Sequence, residues 1–188
     1  MGRVHQINTG KGGVPKLPID HAVVGDRGIT GDKQADRVHH GQPEQPLCLF
    51  SLEVIEKFRS ESHPIVPGSA GENLTVSGMD RGEVVPGRRM TIGPVQIEIT
   101  HDATPCSKST RWFIDGHYNR MHQSRHPGES RVYPGAVRWP DQPWRHGGAT
   151  GLSGRPETLE SSTRPYRMRR GRTCPHRARK TRAWCRDR

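Results

Sequence analysis

Three short stretches of this chain carry the residue types that anion binding or thiol chemistry requires. The densest is Gly31-Asp32-Lys33-Gln34-Ala35-Asp36-Arg37-Val38-His39-His40-Gly41. This glycine-flanked segment offers two acids, two bases, an amide and two adjacent imidazoles. Neighbouring histidines on a strand point to opposite faces, so they rarely chelate one metal together. On a loop, both can donate to a phosphate or another oxyanion. The plain alternative is a solvated charged turn of the same composition. The second stretch is Thr104-Pro105-Cys106-Ser107-Lys108. A cation two residues from Cys106 favours the thiolate, the form that attacks electrophiles and binds soft metals. The competing role for a lone cysteine is that of a small buried hydrophobe. The third is Gly71-Glu72-Asn73-Leu74. Buried polar groups at a strand entry must be hydrogen-bonded, and such a pair can equally serve only to fix a turn. His117, His122 and His126 offer a weaker zinc pattern, because Pro127-Gly128 ends any helix there and no further ligand follows at finger spacing. The chain has no Walker loop, no Gly-x-Ser-x-Gly elbow and no dinucleotide fingerprint.

The elements that must position these groups read mostly as short strands. Arg3 to Asn8 alternates with period two, and Thr9-Gly10-Lys11-Gly12-Gly13 breaks it. His21 to Val24 is a short extended run. Leu47 to Phe50 is apolar and contains Cys48, which is expected to be buried and inert. Ser51 is a good N-cap, and Leu52, Ile55 and Phe58 share one face of a short helix that ends near Ser60. Asn73 to Ser77, Arg89 to Ile92 and Val95 to Thr100 read as three more strands. Turn signals at Ser77-Gly78, Pro86-Gly87 and Gly93-Pro94 separate them, the last as a hairpin connection. The pattern predicts a mainly β domain, barrel-like, with one or two short helices.

Composition divides the chain in two. Of 188 residues only 30% are hydrophobic, and the formal net charge is +11. The last 55 residues hold fourteen basic side chains against four acidic ones, whereas the first 133 are nearly neutral. The tail has no Ile or Phe and one Val, so it is not expected to bury a core. The reading is therefore a β domain over residues 1–133 followed by a disordered, Arg/Pro/Gly-rich tail over 134–188. Such a tail would bind nucleic acid non-specifically through phosphates. No apolar run reaches the length of a membrane span, and Met1 to Lys11 lacks the apolar region of a secretory signal. A cytoplasmic protein is expected, and four widely spaced cysteines do not suggest a disulfide framework.

Taken together and in this order, the motifs resemble the MOSC domain. That domain is found at the C-terminus of molybdenum cofactor sulfurases and in small stand-alone bacterial proteins. The matching pieces are Gly31 to Asp36 running into His39-His40-Gly41, then Gly68-Ser69-Ala70-Gly71-Glu72-Asn73-Leu74, then Gly87 with Ile92-Gly93, then Pro105-Cys106. The resemblance covers about residues 1–133 and implies a β-barrel that holds a molybdopterin-type molybdenum cofactor. It implies that Cys106 ligates molybdenum or carries sulfur as the catalytic residue. Thr30, Lys33, Arg37, His39 and His40 would contact the pterin phosphate or the oxo groups. Asp32 and Asp36 would orient those donors, and Asn73 would shape the pocket wall. Family activities include sulfur transfer to the cofactor and molybdenum-dependent reduction of N-hydroxylated compounds. These imply a small-molecule substrate and a reductase or desulfurase partner protein. No pyridoxal phosphate site is expected, and nucleic acid and membrane are not expected partners. The alternatives are a nucleic-acid-binding protein that uses the basic tail, or a metal-free thiol enzyme that uses Cys106.

The tail departs from the family pattern, which calls here for closing strands around a Pro-Gly-Asp turn. Shifting the reading by one base permits Gly-Pro-Ile-Asn-Pro-Gly-Asp-Thr-Val across Trp139 to Gly148, with two glycines forced by the Trp codons. A one-base shift near codons 133 and 134 is therefore expected, with the written tail outside the working domain.

Overall fold

In β1 (Gly2–Thr9) the inner face changes phase at a register shift between Val4 and Gln6, so both Val4 and Ile7 are buried while Arg3 and His5 face out. The computed structural model describes residues 2–25, 27–35, 45–80 and 84–122, together with the backbone of three later strands. After β1 come β2 (Leu17–Ile19), β3 (His21–Gly25) and β4 (Gly28–Ile29). The apolar run becomes β5 (Leu47–Ser51), which leads directly into helix α1 (Leu52–Ser60). The Ser51 hydroxyl accepts from the Val54 amide at 3.3 Å, capping the helix, and Val54, Ile55 and Phe58 form its buried face. Then follow β6 (Leu74–Ser77), β7 (Arg89–Ile92) and β8 (Val95–Asp102). The Gly93-Pro94 hairpin appears as expected, with Ile92 opposite Val95.

Three further strands arise beyond residue 133: β9 (Gly135–Arg138), β10 (Thr150–Ser153) and β11 (Thr158–Ser162). They correct the expectation that the tail adds nothing to the sheet. β9 fills the gap between β5 and β8, β10 pairs with β3, and β11 lies along β7. The signal that misled was side-chain composition. Pairing satisfies backbone groups, and both neighbours of β9 present a row of donors and acceptors that must be met. The rest of the tail lies outside the described residues.

The pairings form a circuit. β1, β6, β5, β9, β8, β7 and β11 follow one another, and β11 returns to β1. β11 meets β1 at Gly2 and Arg3, while β2 meets the other end of that edge at Ile7 to Thr9. β5 and β6 run parallel, joined through α1, whereas the other pairings in the circuit are antiparallel. β3, β4 and β10 form a second, smaller sheet. The main core is built from these strands, with Ile7, Leu49, Leu74, Ile97 and Ile99 fully buried.

A second cluster sits over α1. Phe58 packs edge-on against Phe113 at 5.2 Å, beside Ile65 and Met121. Phe113 and Met121 belong to a segment with two 3-10 turns, Ser107–Trp112 and Tyr118–Met121. His63 fastens that segment: its Nδ1 accepts from the Ile114 amide at 3.2 Å. Arg120 reaches Glu61 at 2.5 Å and holds that carboxyl below its ordinary range through the hydrogen bond.

Candidate functional site

Asp32 is the hub of the polar network. Its side chain is only 2% exposed and receives three donors. The Gly10 amide donates to Oδ1 at 2.8 Å, and Lys16 Nζ and Asn73 Nδ2 donate to Oδ2 at 2.7 and 2.9 Å. A buried carboxylate is tolerable when its oxygens are hydrogen-bonded, and both oxygens of Asp32 are. Asp32 thereby locks together three loops: 10–16, 30–35 and 66–73.

Asn73 completes the lock. Its Nδ2 also lies 3.3 Å from the Asn8 carbonyl, and its Oδ1 accepts from the Cys48 amide at 3.3 Å. The Asn73 amide in turn donates to the Cys48 carbonyl at 2.7 Å. Asn73 is thus engaged on both ends of its amide and shapes the wall instead of reaching into free space. Gly68 lets loop 66–73 approach this closely. Its φ is +87°, and a Cβ there would stand 2.1 Å from the Lys16 carbonyl oxygen. Only glycine fits such a left-handed, crowded position. The Lys16 amide donates to the Gly68 carbonyl at 2.9 Å across the same junction.

These loops and the segment after β8 enclose a cavity of about 150 Å³. Lys33, Asn73 and Cys106 all line it, although they are far apart in sequence. Lys16, Cys48, Lys108 and Met121 line it as well. Cys106 is half-buried and stands at the N-terminus of the Ser107–Trp112 turn. Arg111 from that turn hydrogen-bonds the Val14 carbonyl, tying the cysteine-bearing segment to loop 10–16. Lys33 and Lys108 are exposed, which leaves their ammonium groups in solvent at the wall.

Cys48 was expected to be sealed in the core. It is instead half-buried and lines the cavity, because β5 leans against Asn73 at that position. Its thiol is nonetheless pushed up to about 12, first by burial and then by the Glu72 carboxylate, with Lys16 opposing. It stays protonated, so its expected inertness has an electrostatic basis and its expected location does not hold. Glu72 is fully buried, and burial raises its carboxyl to about 7 against the hydrogen bonds from Gly68 and Thr75 and the charge of Lys16.

Thr30 is exposed, gives its amide to the Val23 carbonyl at 2.7 Å, and does not line the cavity. Arg37, His39 and His40 lie outside the described residues, as do Asp36 and His126. His117 is exposed beside Asp115, at 3.4 Å. Among the described residues no group of three His, Cys, Asp or Glu side chains could hold a metal ion. No helix among them is long and apolar enough to cross a membrane. Lys16 and Met121 escaped the sequence reading, and Cys48 was read as inert core, since each is brought to the cavity by tertiary contacts alone.

A family model described as "MOSC domain" matches residues 36–144. The protein YflK of Bacillus subtilis (strain 168) is 31% identical over 136 residues, which is 66% of this chain and 61% of YflK. The protein YiiM of Escherichia coli (strain K12) is 26% identical over 113 residues, 57% of this chain and 50% of YiiM. The chain thus matches half to three fifths of the length of these relatives. In three dimensions it is similar to the crystal structure of YiiM from Escherichia coli, with a TM-score of 0.59 at 20% identity over 88% of this chain and 71% of that one. The YUAD protein from Bacillus subtilis gives a TM-score of 0.60 at 17% identity, over 87% of this chain and 98% of that one. At these identities the structural likeness concerns the fold.

Proposed function

Because this chain belongs to the MOSC domain family, which includes molybdenum-cofactor-binding members, we propose that its cavity receives the metal-bearing end of a molybdopterin-type cofactor. The observation that supports this reading is the convergence of Cys106, Lys33 and Asn73 on one cavity. The donor set fits such a group. A half-buried thiol is a soft ligand suited to molybdenum, and the ammonium groups of Lys33 and Lys108 suit phosphate or oxo oxygens. Asn73 and Asp32 hold the wall in place without occupying it. A volume of about 150 Å³ is roughly that of a benzene-sized guest. It takes the reactive end of a cofactor and leaves the phosphate toward the exposed lysines.

When bound, the cofactor supplies a redox-active metal able to exchange oxygen or sulfur with a small substrate. The residues of this chain bind and orient it, and Cys48 keeps its proton beside it. A reductase or desulfurase protein partner would serve such an activity as the source of electrons or sulfur. The assignment of Arg37, His39 and His40 to the same anion rests on resemblance. It predicts that Arg37→Ala weakens cofactor retention more than it lowers stability.

The test is metal analysis of protein purified from a host that makes the cofactor. Near-stoichiometric molybdenum in the parent chain, lost in a folded Cys106→Ser variant, is the expected result. Equal molybdenum in both refutes Cys106 as the ligand. Thiol-dependent activity in a chain without molybdenum favours a metal-free enzyme that uses Cys106.

A further inference from the structure

Among the described residues, Glu72 is the buried acid beside the cavity that this reading leaves without a task. Its neighbours in sequence, Gly71 and Asn73, both line the cavity. Its Oε1 accepts from the Gly68 amide at 2.6 Å and from the Thr75 hydroxyl at 3.1 Å. Its Oε2 is buried and has no hydrogen-bond partner among the described residues. A carboxylate in that position leaves half its charge unanswered, whereas a carboxylic acid can place its proton there. The charged or titratable groups that act on it are Lys16 from loop 10–16 and Cys48 from β5. Lys16 is held by Asp32, and both Lys16 and Cys48 line the cavity.

We propose that the cavity takes an anionic ligand together with one proton, which Glu72 stores. The inference goes beyond the cofactor reading, because it concerns any anion that enters. A negative charge in the cavity raises the cost of an ionised Glu72 and favours its protonated form. The proton comes from solvent and returns when the anion leaves; no other bond changes. The raised carboxyl puts this exchange near neutral pH. The 68–73 turn carries the effect, since Glu72 binds Gly68, and Gly68 binds the backbone of Lys16. Glu72 is accordingly a positioning residue.

The test places charge in the cavity without any cofactor. In a full-length chain with Cys174→Ser and Cys185→Ser, Cys106 is labelled with three methanethiosulfonates. The thiolate forms a disulfide with the reagent's sulfur and displaces methanesulfinate. The reagents add a sulfonatoethylthio, a methylthio or a trimethylammonioethylthio group, and peptide masses confirm labelling at Cys106 alone. The Glu72 carboxyl is then titrated by carbon NMR on glutamate-labelled protein, with Glu72→Gln assigning its signal. Relative to the methyl adduct, the sulfonate is expected to raise the midpoint by roughly half a pH unit or more. The trimethylammonium group is expected to lower it. A midpoint that does not depend on the label overturns the proposal, as does a Glu72 that titrates like a free carboxyl. Failure of the charged reagents to reach Cys106 overturns it as well. A midpoint that ignores the label leaves the cofactor reading standing, because molybdenum binding is measured separately by metal analysis.

Discussion

Replacing Glu72 by Gln should change how the stability of this protein depends on pH. The folded carboxyl sits at about 7, against an ordinary value of 4.5, because burial penalises its charge. Below pH 4.5 both folded and unfolded chains hold the proton, and the acid destabilises neither. Between 4.5 and 7 the unfolded chain has released its proton while the folded chain keeps it. Stability therefore falls as pH rises through this window. Above 7 the folded chain carries a buried carboxylate and the loss is complete. A shift of that size corresponds to about 3 kcal/mol. Gln keeps the oxygen that Gly68 and Thr75 use and places an amide where Oε2 has no partner, so it mimics the protonated acid at every pH. The assay is urea unfolding of both chains from pH 4 to pH 8.5. Titrating groups that do not feel Glu72 cancel in the difference, and Cys48, which does, keeps its proton in the folded chain across this range. The variant should gain about 3 kcal/mol relative to the parent between the two ends, with the midpoint of that gain between pH 4.5 and 7. In thermal melts this is roughly 6–12 °C for a chain of this size. A difference that is flat with pH, or that favours the parent at high pH, refutes the reasoning.

Three other perturbations test the frame of the site. Asp32→Ala strands the buried Lys16 ammonium and should cost about 3–5 kcal/mol in urea unfolding; Lys16→Met added to it should restore much of that loss. Gly68→Ala drives a methyl into the Lys16 carbonyl and is expected to cost several kcal/mol, on the scale of roughly 3 or more, where Gly13→Ala, with open space around it, costs less. Truncation after Tyr133 removes β9, β10 and β11, and the shortened chain should lose cooperative melting, while truncation after Ser162 should retain it. Retention of a sharp transition by the shorter chain would support the reading that the written tail lies outside the working domain, and the genomic sequence around codon 133 would then decide the frame.

Local chemistry was legible where one segment sufficed. The strand over β1, the Ser51 cap and the β7–β8 hairpin follow from neighbouring residues, whereas the helix buries Val54 with Ile55 and Phe58 in place of the expected Leu52, and the period-two run of β1 breaks at a register shift. The convergence of Lys33, Asn73 and Cys106 followed from the family resemblance, since no local pattern connects them. Asp32 was expected to orient Thr30, Lys33, Arg37, His39 and His40, yet among the described residues its side chain instead binds Gly10 and Asn73 and pairs with Lys16. That pairing depends on Gly68 admitting one backbone against another, and nothing near Lys16 announces it. Cys48 shows the same limit: an apolar run reads as core, yet one residue of a core strand can face a cavity at the strand's end. β9 to β11 were missed because their side chains lack the branched apolar signal, while the demand for them comes from open edges elsewhere.

The closing of the strand circuit by β11 has a consequence during synthesis. Gly2 and Arg3 are translated well before their partners Leu159 and Thr158, which come near the end of the described chain. At roughly 5–20 residues per second, that end of β1 waits on the order of 8–30 s for its neighbour. β5 and β8 wait similarly for β9 to slide between them. Until then the nascent chain carries two half-sheets, β2-β1-β6-β5 and the β7–β8 hairpin, each with an edge able to capture a strand from another chain. The yield of folded protein is thus set by a race between elongation and intermolecular pairing. Slow translation near codons 139–157 should lengthen that race and increase aggregation, whereas lower expression temperature and chaperones that shield strand edges should favour the ring.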